Sequence, residues 1–120
     1  MKKIVLFLAL IGIGSTAYSE TVYELSEPYC KAFEEIGGLA MKSRQANIAL
    51  SKTTDNVKKI VNDSKEMTDH FMNIAIKITY LAYKKPVMDE IVDKDIEVSE
   101  FKNYVYMNCL PMMERELKTK

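Results

Sequence analysis

The sequence predicts an all-α fold: a small four-helix bundle-like domain with one disulfide, made after a cleavable signal peptide. Apolar residues recur at spacings of three and four through most of the chain, which is the pattern of helices with one buried face. Alternation of the strand type is hard to find, and only four glycines and three prolines interrupt the helical pattern. Two cysteines lie near opposite ends of the part that follows the signal.

Residues 1–19 have the three parts of a secretory signal peptide. Two lysines follow the initiator methionine, an uninterrupted apolar run covers 4–13, and Ala17-Tyr18-Ser19 is a small-x-small cleavage site. A membrane-spanning helix needs roughly 20 apolar residues, so the short run favours cleavage over an uncleaved anchor, which is the alternative. Paired lysines and a compact signal are typical of bacteria. We therefore expect one helical domain over 20–120, in the periplasm or secreted.

Charge limits the classes of partner. The exported part retains 15 basic residues against 17 acidic ones, a net charge of −2 with mixed signs. Nucleic acid binding needs a concentrated basic face, and a polybasic membrane-surface module needs one as well. We expect neither kind of partner, and no stable membrane span. About 100 residues suffice for one domain with a modest core.

Cys30 and Cys109 predict an internal disulfide. An even number of cysteines in an exported protein is typical of disulfide pairing. Closing a loop of about 80 residues would stabilise the fold by roughly 4 kcal/mol in the chain-entropy model. Two free thiols and a bridge between chains are the alternatives.

The periodicity predicts four helices, and the third is apolar on two sides. Because such a helix is usually covered on both flanks, we expect it in the middle, with the first and fourth packed against it. Pro111 is expected to end the fourth helix. The four helices cover about 28–47, 53–63, 65–84 and 88–110.

Several single residues have an expected place in these helices. Ser51 or Thr53 would cap the second helix through its hydroxyl. Gly37 lies near the apolar side of the first helix, where it either permits close approach of a neighbour or marks a kink. Leu81 and Ile91 fall on the faces expected to point inward.

No set of residues predicts catalysis or a cofactor. The single histidine, His70, follows Glu66 by one helical turn, and the two supply at most half of a zinc site, which needs three or four protein ligands. Carboxylates such as Glu34 and Glu35 are adjacent, so they point in different directions and do not converge across a cleft. Together with Gln45 they are assigned to a solvated polar face. We expect no metal, no cofactor and no enzymatic activity.

Two features could bind a partner protein. Arg44 falls near the apolar face of the first helix, where it either makes an internal contact or meets another molecule. The second apolar stripe of the third helix consists of Met72, Ile76, Tyr80 and Tyr83. This stripe is either core or an exposed surface for a partner or a homodimer.

Three short stretches carry a resemblance: Ala40-Met41-x-x-Arg44-Gln45, Ala82-Tyr83-x-x-Pro86, and Phe101 followed by Val105, Tyr106 and Cys109. They resemble a loose group of short exported helical proteins of bacteria and their prophages. In that group one cysteine opens the exported chain and another closes the last helix, as Cys30 and Cys109 would. The group has no established activity, so the resemblance implies an architecture and no function. The group often has a glycine soon after the Arg-Gln pair, where this chain has Asn47 and Ile48.

In its size, its export and its single disulfide, the chain is similar to two functional types of protein. One is the periplasmic immunity proteins that block cell-wall amidases, and the other is the small acid-stress chaperones. The first hypothesis is therefore a non-enzymatic binding protein of the envelope: an inhibitor, an immunity factor or a phage-associated protein with a protein partner. The alternative is an acid-activated chaperone, since the 17 acidic residues would change charge between about pH 5 and 2.

Overall fold

The computed structural model describes residues 27–64 and 69–118, and these residues form α-helices joined by short connections, with no strand among them. The predicted all-α fold with one disulfide is confirmed. The expected signal peptide, residues 1–19, lies outside the described residues. In chain order the helices are α1 (27–45), α2 (Leu50–Asp63), α3 (Asp69–Tyr83) and α4 (Ile91–Lys118).

α1 occupies the central position, because it packs against each of the other three helices. The ring of Phe33 lies 5.7 Å from that of Phe71 in α3, measured between centroids. Cys30 is bonded to Cys109 of α4. On a third side, α1 lines a cleft together with Ile60 of α2. The fully buried apolar side chains of α1 are Cys30, Phe33, Ala40 and Met41.

The expectation that α3 lies in the middle is wrong. One side of α3 packs on α1 and α2, but its other side is open, with Tyr80 47% and Leu81 39% exposed. The physical reason is the size of the side chains in α1. Gly37 and Ala40 allow neighbouring helices to approach α1 closely, whereas Tyr80 of α3 carries a hydroxyl that water can satisfy.

The Cys30–Cys109 disulfide joins the start of α1 to the C-terminal half of α4. Its α-carbons lie 5.5 Å apart across a sequence separation of 79 residues, and the exposed fractions of the two cysteines are 0% and 4%. A bond that closes a loop of this length stabilises the folded state by about 4 kcal/mol in the chain-entropy model.

α1 and α4 are antiparallel along their shared length. Beyond the disulfide, Gly37 of α1 lies against Val105 of α4. Near the other end of α1, the Lys94 ammonium of α4 donates a hydrogen bond to the carbonyl oxygen of Gln45 at 2.7 Å. Contacts therefore hold the pair together from one end of α1 to the other.

Gly37 marks a close approach of two helices, which is the first of its two predicted roles. A Cβ atom at Gly37 would lie 2.9 Å from Cγ2 of Val105 and 3.5 Å from the ring of Phe101. A Cβ atom at Gly38 would meet only the aliphatic chain of Lys102, at 3.0 Å and beyond. The two neighbouring glycines thus differ in what a side chain would displace.

Asn47 ends α1 in the manner of a glycine. Its φ of 60° is left-handed, a conformation that asparagine adopts more readily than most residues. The Ile48 N–H donates to the Ser43 carbonyl and the Asn47 N–H donates to the Arg44 carbonyl, both at 3.0 Å. These two bonds form a Schellman motif, which satisfies the last carbonyls of the helix. Asn47 therefore supplies what a glycine after the Arg-Gln pair would supply.

The prediction that Ser51 or Thr53 caps α2 is wrong. The helix begins at Leu50, and its N-cap is Ala49, which makes no side-chain capping bond. Ser51 and Thr53 both lie inside the helix. The Thr53 hydroxyl instead lies 2.8 Å from the hydroxyl of Tyr83 in α3, so a tertiary contact uses the group that capping would need.

Two expectations for α4 are also wrong. Pro111 does not end the helix, which continues to Lys118. Proline removes the hydrogen bond to the carbonyl of Met107, but both residues are exposed, so water can take the place of the missing N–H. Ile91 does not point inward but is 75% exposed. α1 ends at Gln45, whose carbonyl is bonded to Lys94, so this helix does not continue alongside Ile91.

We expect Gly37→Ala to lower the free energy of unfolding by about 1–2 kcal/mol, because Val105 is β-branched and has little freedom to move aside. Gly38→Ala is the matched control. There the Lys102 chain can swing away, and alanine gains up to about 1 kcal/mol in helix propensity. Urea unfolding followed by far-UV circular dichroism measures the free energy of unfolding of both variants. Equal stabilities would contradict the close approach of α1 and α4 at Gly37.

Candidate functional site

A groove opens between α3 and α4, and α1 forms the floor of its narrow part. In its narrow part, Phe33 of α1, Ile78 of α3 and the disulfide-bonded Cys109 of α4 line a cavity of about 140 Å³. Leu81 and Tyr104 line this cavity and also an adjoining one of about 480 Å³. We call the two adjoining cavities the α3–α4 groove. Apolar residues line most of its narrow part, and charged residues line its wide part.

The wide part of the α3–α4 groove has opposite charges on its two walls. Lys84 and Lys85 follow the end of α3, and Glu97 and Glu100 lie on α4. In the part of the chain that the structure describes, no nitrogen–oxygen pair within 4 Å joins these lysines to these glutamates. Each wall therefore presents its own charge to the solvent between them.

Apolar side chains line the rim between these charged walls. Leu81 is 39% exposed and Tyr104 is 52% exposed. The expectation that Leu81 points inward is wrong, because the side of α3 on which it lies faces the groove and not a packed helix. The rim thus offers apolar area that no other described part of the chain covers.

A second exposed apolar surface lies at the start of α4. Ile91, Val92 and Ile96 are 75%, 68% and 48% exposed. We call these three residues the α4 tip. They lie in the first two turns of α4, close to Lys94, which is bonded to the last residue of α1. Val92 and Ile96 are four residues apart and share a side of the helix. Exposed apolar side chains that share a side in this way are typical of contact sites for other molecules.

Gln45 ties the connection between α3 and α4 to the end of α1. Its Nε2 donates to the Pro86 carbonyl at 2.9 Å, and its Oε1 accepts from the Met88 N–H at 2.8 Å. Its own carbonyl accepts the bond from Lys94. The side chain is only 4% exposed, so its assignment to the solvated polar face is wrong. The connecting residues supply a partner for each end of the amide, which makes burial of a polar side chain affordable in free energy.

Arg44 makes internal contacts on the same side of the molecule. Its Nε donates to the Lys85 carbonyl at 2.8 Å, and its guanidinium carbon lies 5.6 Å from the centroid of the Tyr83 ring. The Tyr83 hydroxyl donates to the Ile48 carbonyl at 2.6 Å, so the bond between Tyr83 and Thr53 has the threonine as its donor. The short stretches around Arg44-Gln45 and around Tyr83 and Pro86 therefore meet in space.

The second apolar stripe of α3 is divided between core and surface. Met72 and Tyr83 are partly buried and pack against the core, Ile76 is half-buried, and Tyr80 is 47% exposed. A role for these four residues and for Arg44 in partner binding stays a prediction. The residues that line the walls of the α3–α4 groove were not predicted, because no sequence pattern relates a residue after α3 to one in α4.

Within 27–64 and 69–118, no group of three or more histidine, cysteine, aspartate or glutamate side chains converges as a metal site. The side chain of His70 and all of Glu66 lie outside the described part. In that same part of the chain, none of the helices has both the length and the apolar character needed to cross a bilayer.

Comparisons with known proteins yield no match to this chain, whether with protein-family models, with curated proteins or with solved structures. The chemistry of the chain's own residues is therefore the basis for a functional proposal.

We expect Gln45→Ala to lower the free energy of unfolding by about 2–4 kcal/mol, because it leaves the Pro86 carbonyl and the Met88 N–H without partners. The amide of Met88 should also exchange with solvent faster, as measured by NMR hydrogen exchange. Lys42→Ala, an exposed change on the same helix, is the control and should alter neither quantity. Equal exchange rates at Met88 in both variants would show that Gln45 does not hold this connection.

Proposed function

We propose that this chain is an exported, non-enzymatic binding protein of the bacterial envelope that presents a rigid helical surface to one protein partner. The observation that carries the proposal is the α4 tip, where Ile91 and Val92 are among the most exposed large apolar side chains of the described residues. Exposed apolar area costs solubility, and proteins commonly retain it where a partner covers it.

The surface is preorganised, because α4 is fixed to α1 at two places. The Cys30–Cys109 disulfide holds the C-terminal half of α4, and the bond from Lys94 to Gln45 holds its start. A surface that is already ordered loses less conformational entropy on binding, so more of the contact free energy appears as affinity. This property suits an inhibitor, whose contact surface changes little between its free and bound states.

Export is supported by two independent features. The disulfide is of the kind that persists in oxidising compartments such as the bacterial periplasm. Residues 1–19 have the composition of a secretory signal. Together they favour the periplasm, or secretion, as the place where the partner is met.

The particular function that we propose is that of an inhibitor or immunity factor against an enzyme that attacks the cell wall. A protein that stays in the periplasm and binds one enzyme can be small and needs a stable fold. This chain is small, has a stabilising disulfide and has a net charge close to zero. A phage-associated envelope protein that binds one protein partner is the related form of the same proposal.

The test is affinity capture from periplasmic extract with the tagged chain in its exported, oxidised form, followed by calorimetry with the purified partner. We expect one stoichiometric partner, and we expect Val92→Asp with Ile96→Asp to weaken its binding by about tenfold or more. Leu50→Asp with Ile60→Asp makes the same change on α2 and should leave binding intact. Circular dichroism verifies that both variants fold.

Two outcomes would count against the proposal. One is repeated capture of nothing by the wild-type chain. The other is a partner that binds the α4-tip variant and the α2 variant equally well, which would place the contact elsewhere on the molecule.

A further inference from the structure

We infer that the α3–α4 groove is a pairing surface between two copies of this chain. This inference goes beyond the proposed function and uses a different surface, because the α4 tip lies outside the groove. It follows from the charges on the two groove walls, from the apolar residues between them, and from the floor that keeps the walls apart.

The charges of the α3–α4 groove are self-complementary. A two-fold axis brings a surface patch against itself, so each contact between two different residues occurs twice. Lys84 and Lys85 of one copy would meet Glu97 and Glu100 of the other, and the reverse contact would form at the same time. A second copy therefore satisfies both walls at once, without charges from a different protein.

The residues between the walls suit the centre of such an interface. Tyr104 and Leu81 are exposed and lie next to the charged residues in the wide part of the groove. Tyrosine is enriched at protein interfaces, where apolar residues form the centre and charged residues form the rim. The groove has this arrangement on each copy.

The core beneath the α3–α4 groove keeps its two helices apart. Phe33, which is fully buried, and Cys109, which is bonded to α1, line the narrow part, and the buried Phe101 lines the wide part. Moving α3 onto α4 would have to displace these side chains. A second chain can bring opposite charges together over the groove while the core beneath it stays in place.

Charge reversal tests the pairing, with sedimentation velocity of the purified, oxidised exported chain as the measurement. We expect the wild type to form a dimer. Lys84→Glu with Lys85→Glu, and separately Glu97→Lys with Glu100→Lys, should each raise the dissociation constant by about tenfold or more, because like charges then face each other in both contacts.

An equimolar mixture of the two reversed variants should form a dimer again, because every contact between unlike variants joins opposite charges. Lys58→Glu with Lys59→Glu makes the same charge change on exposed residues of α2 and should leave the wild-type dimer unchanged. Circular dichroism verifies the fold of each variant.

Three results would overturn the inference: a wild type that is monomeric at every concentration at which it stays soluble, a dimer that survives both reversals, or a mixture that remains monomeric. The α4-tip variant Val92→Asp with Ile96→Asp should keep the dimer while losing the envelope partner. Failure of this inference can therefore be told apart from failure of the proposed function.

Discussion

The Cys30–Cys109 disulfide is the constraint on which the rest of the structure depends. It holds the start of α1 against the C-terminal half of α4 and so keeps α1 beneath both α3 and α4. Because Phe33 and Cys109 line the floor between these two helices, α3 lies beside α4 without closing over it. The groove between α3 and α4 is thus a consequence of the covalent bond and of the core that the bond fixes. A domain of about 100 residues has a modest core, so one such bond is a large part of its net stability.

The opposite end of the α1–α4 pair is held without a covalent bond. Gln45 binds the connection before α4, and Lys94 binds the end of α1. The two constraints act differently. The disulfide restricts the unfolded chain, whereas the hydrogen bonds of a buried amide matter most through the cost of leaving their partners unpaired. With both ends held, α4 can expose apolar residues on its outer side and still keep one position.

The helical fold and the disulfide could be predicted because both depend on information local to the sequence: a spacing of apolar residues, and two cysteines in an exported chain. The predictions that were wrong concern contacts between residues that are far apart in the sequence. Periodicity shows that Leu81 shares a side with buried residues, but not that the next helix stops short of covering it. The polarity of Gln45 predicted a solvent-exposed side chain. In the structure the side chain is buried, because the connection after α3 supplies its hydrogen-bond partners. Pro111 continues its helix because water is available at that point. No local pattern relates Lys84 to Glu100, since only the packing on α1 brings their two walls to one groove.

The most direct test is the state of the two cysteines in the exported protein. The purified chain is unfolded, alkylated and digested without reduction, and its peptides are identified by mass spectrometry. We expect no alkylated cysteine and one cross-linked pair of peptides, which contains Cys30 and Cys109. On a non-reducing denaturing gel the chain should migrate as a monomer, which shows that the bridge lies within a single chain. Two alkylated cysteines, or a bridge between chains, would contradict the position of α1 against α4, and with it the origin of both binding surfaces.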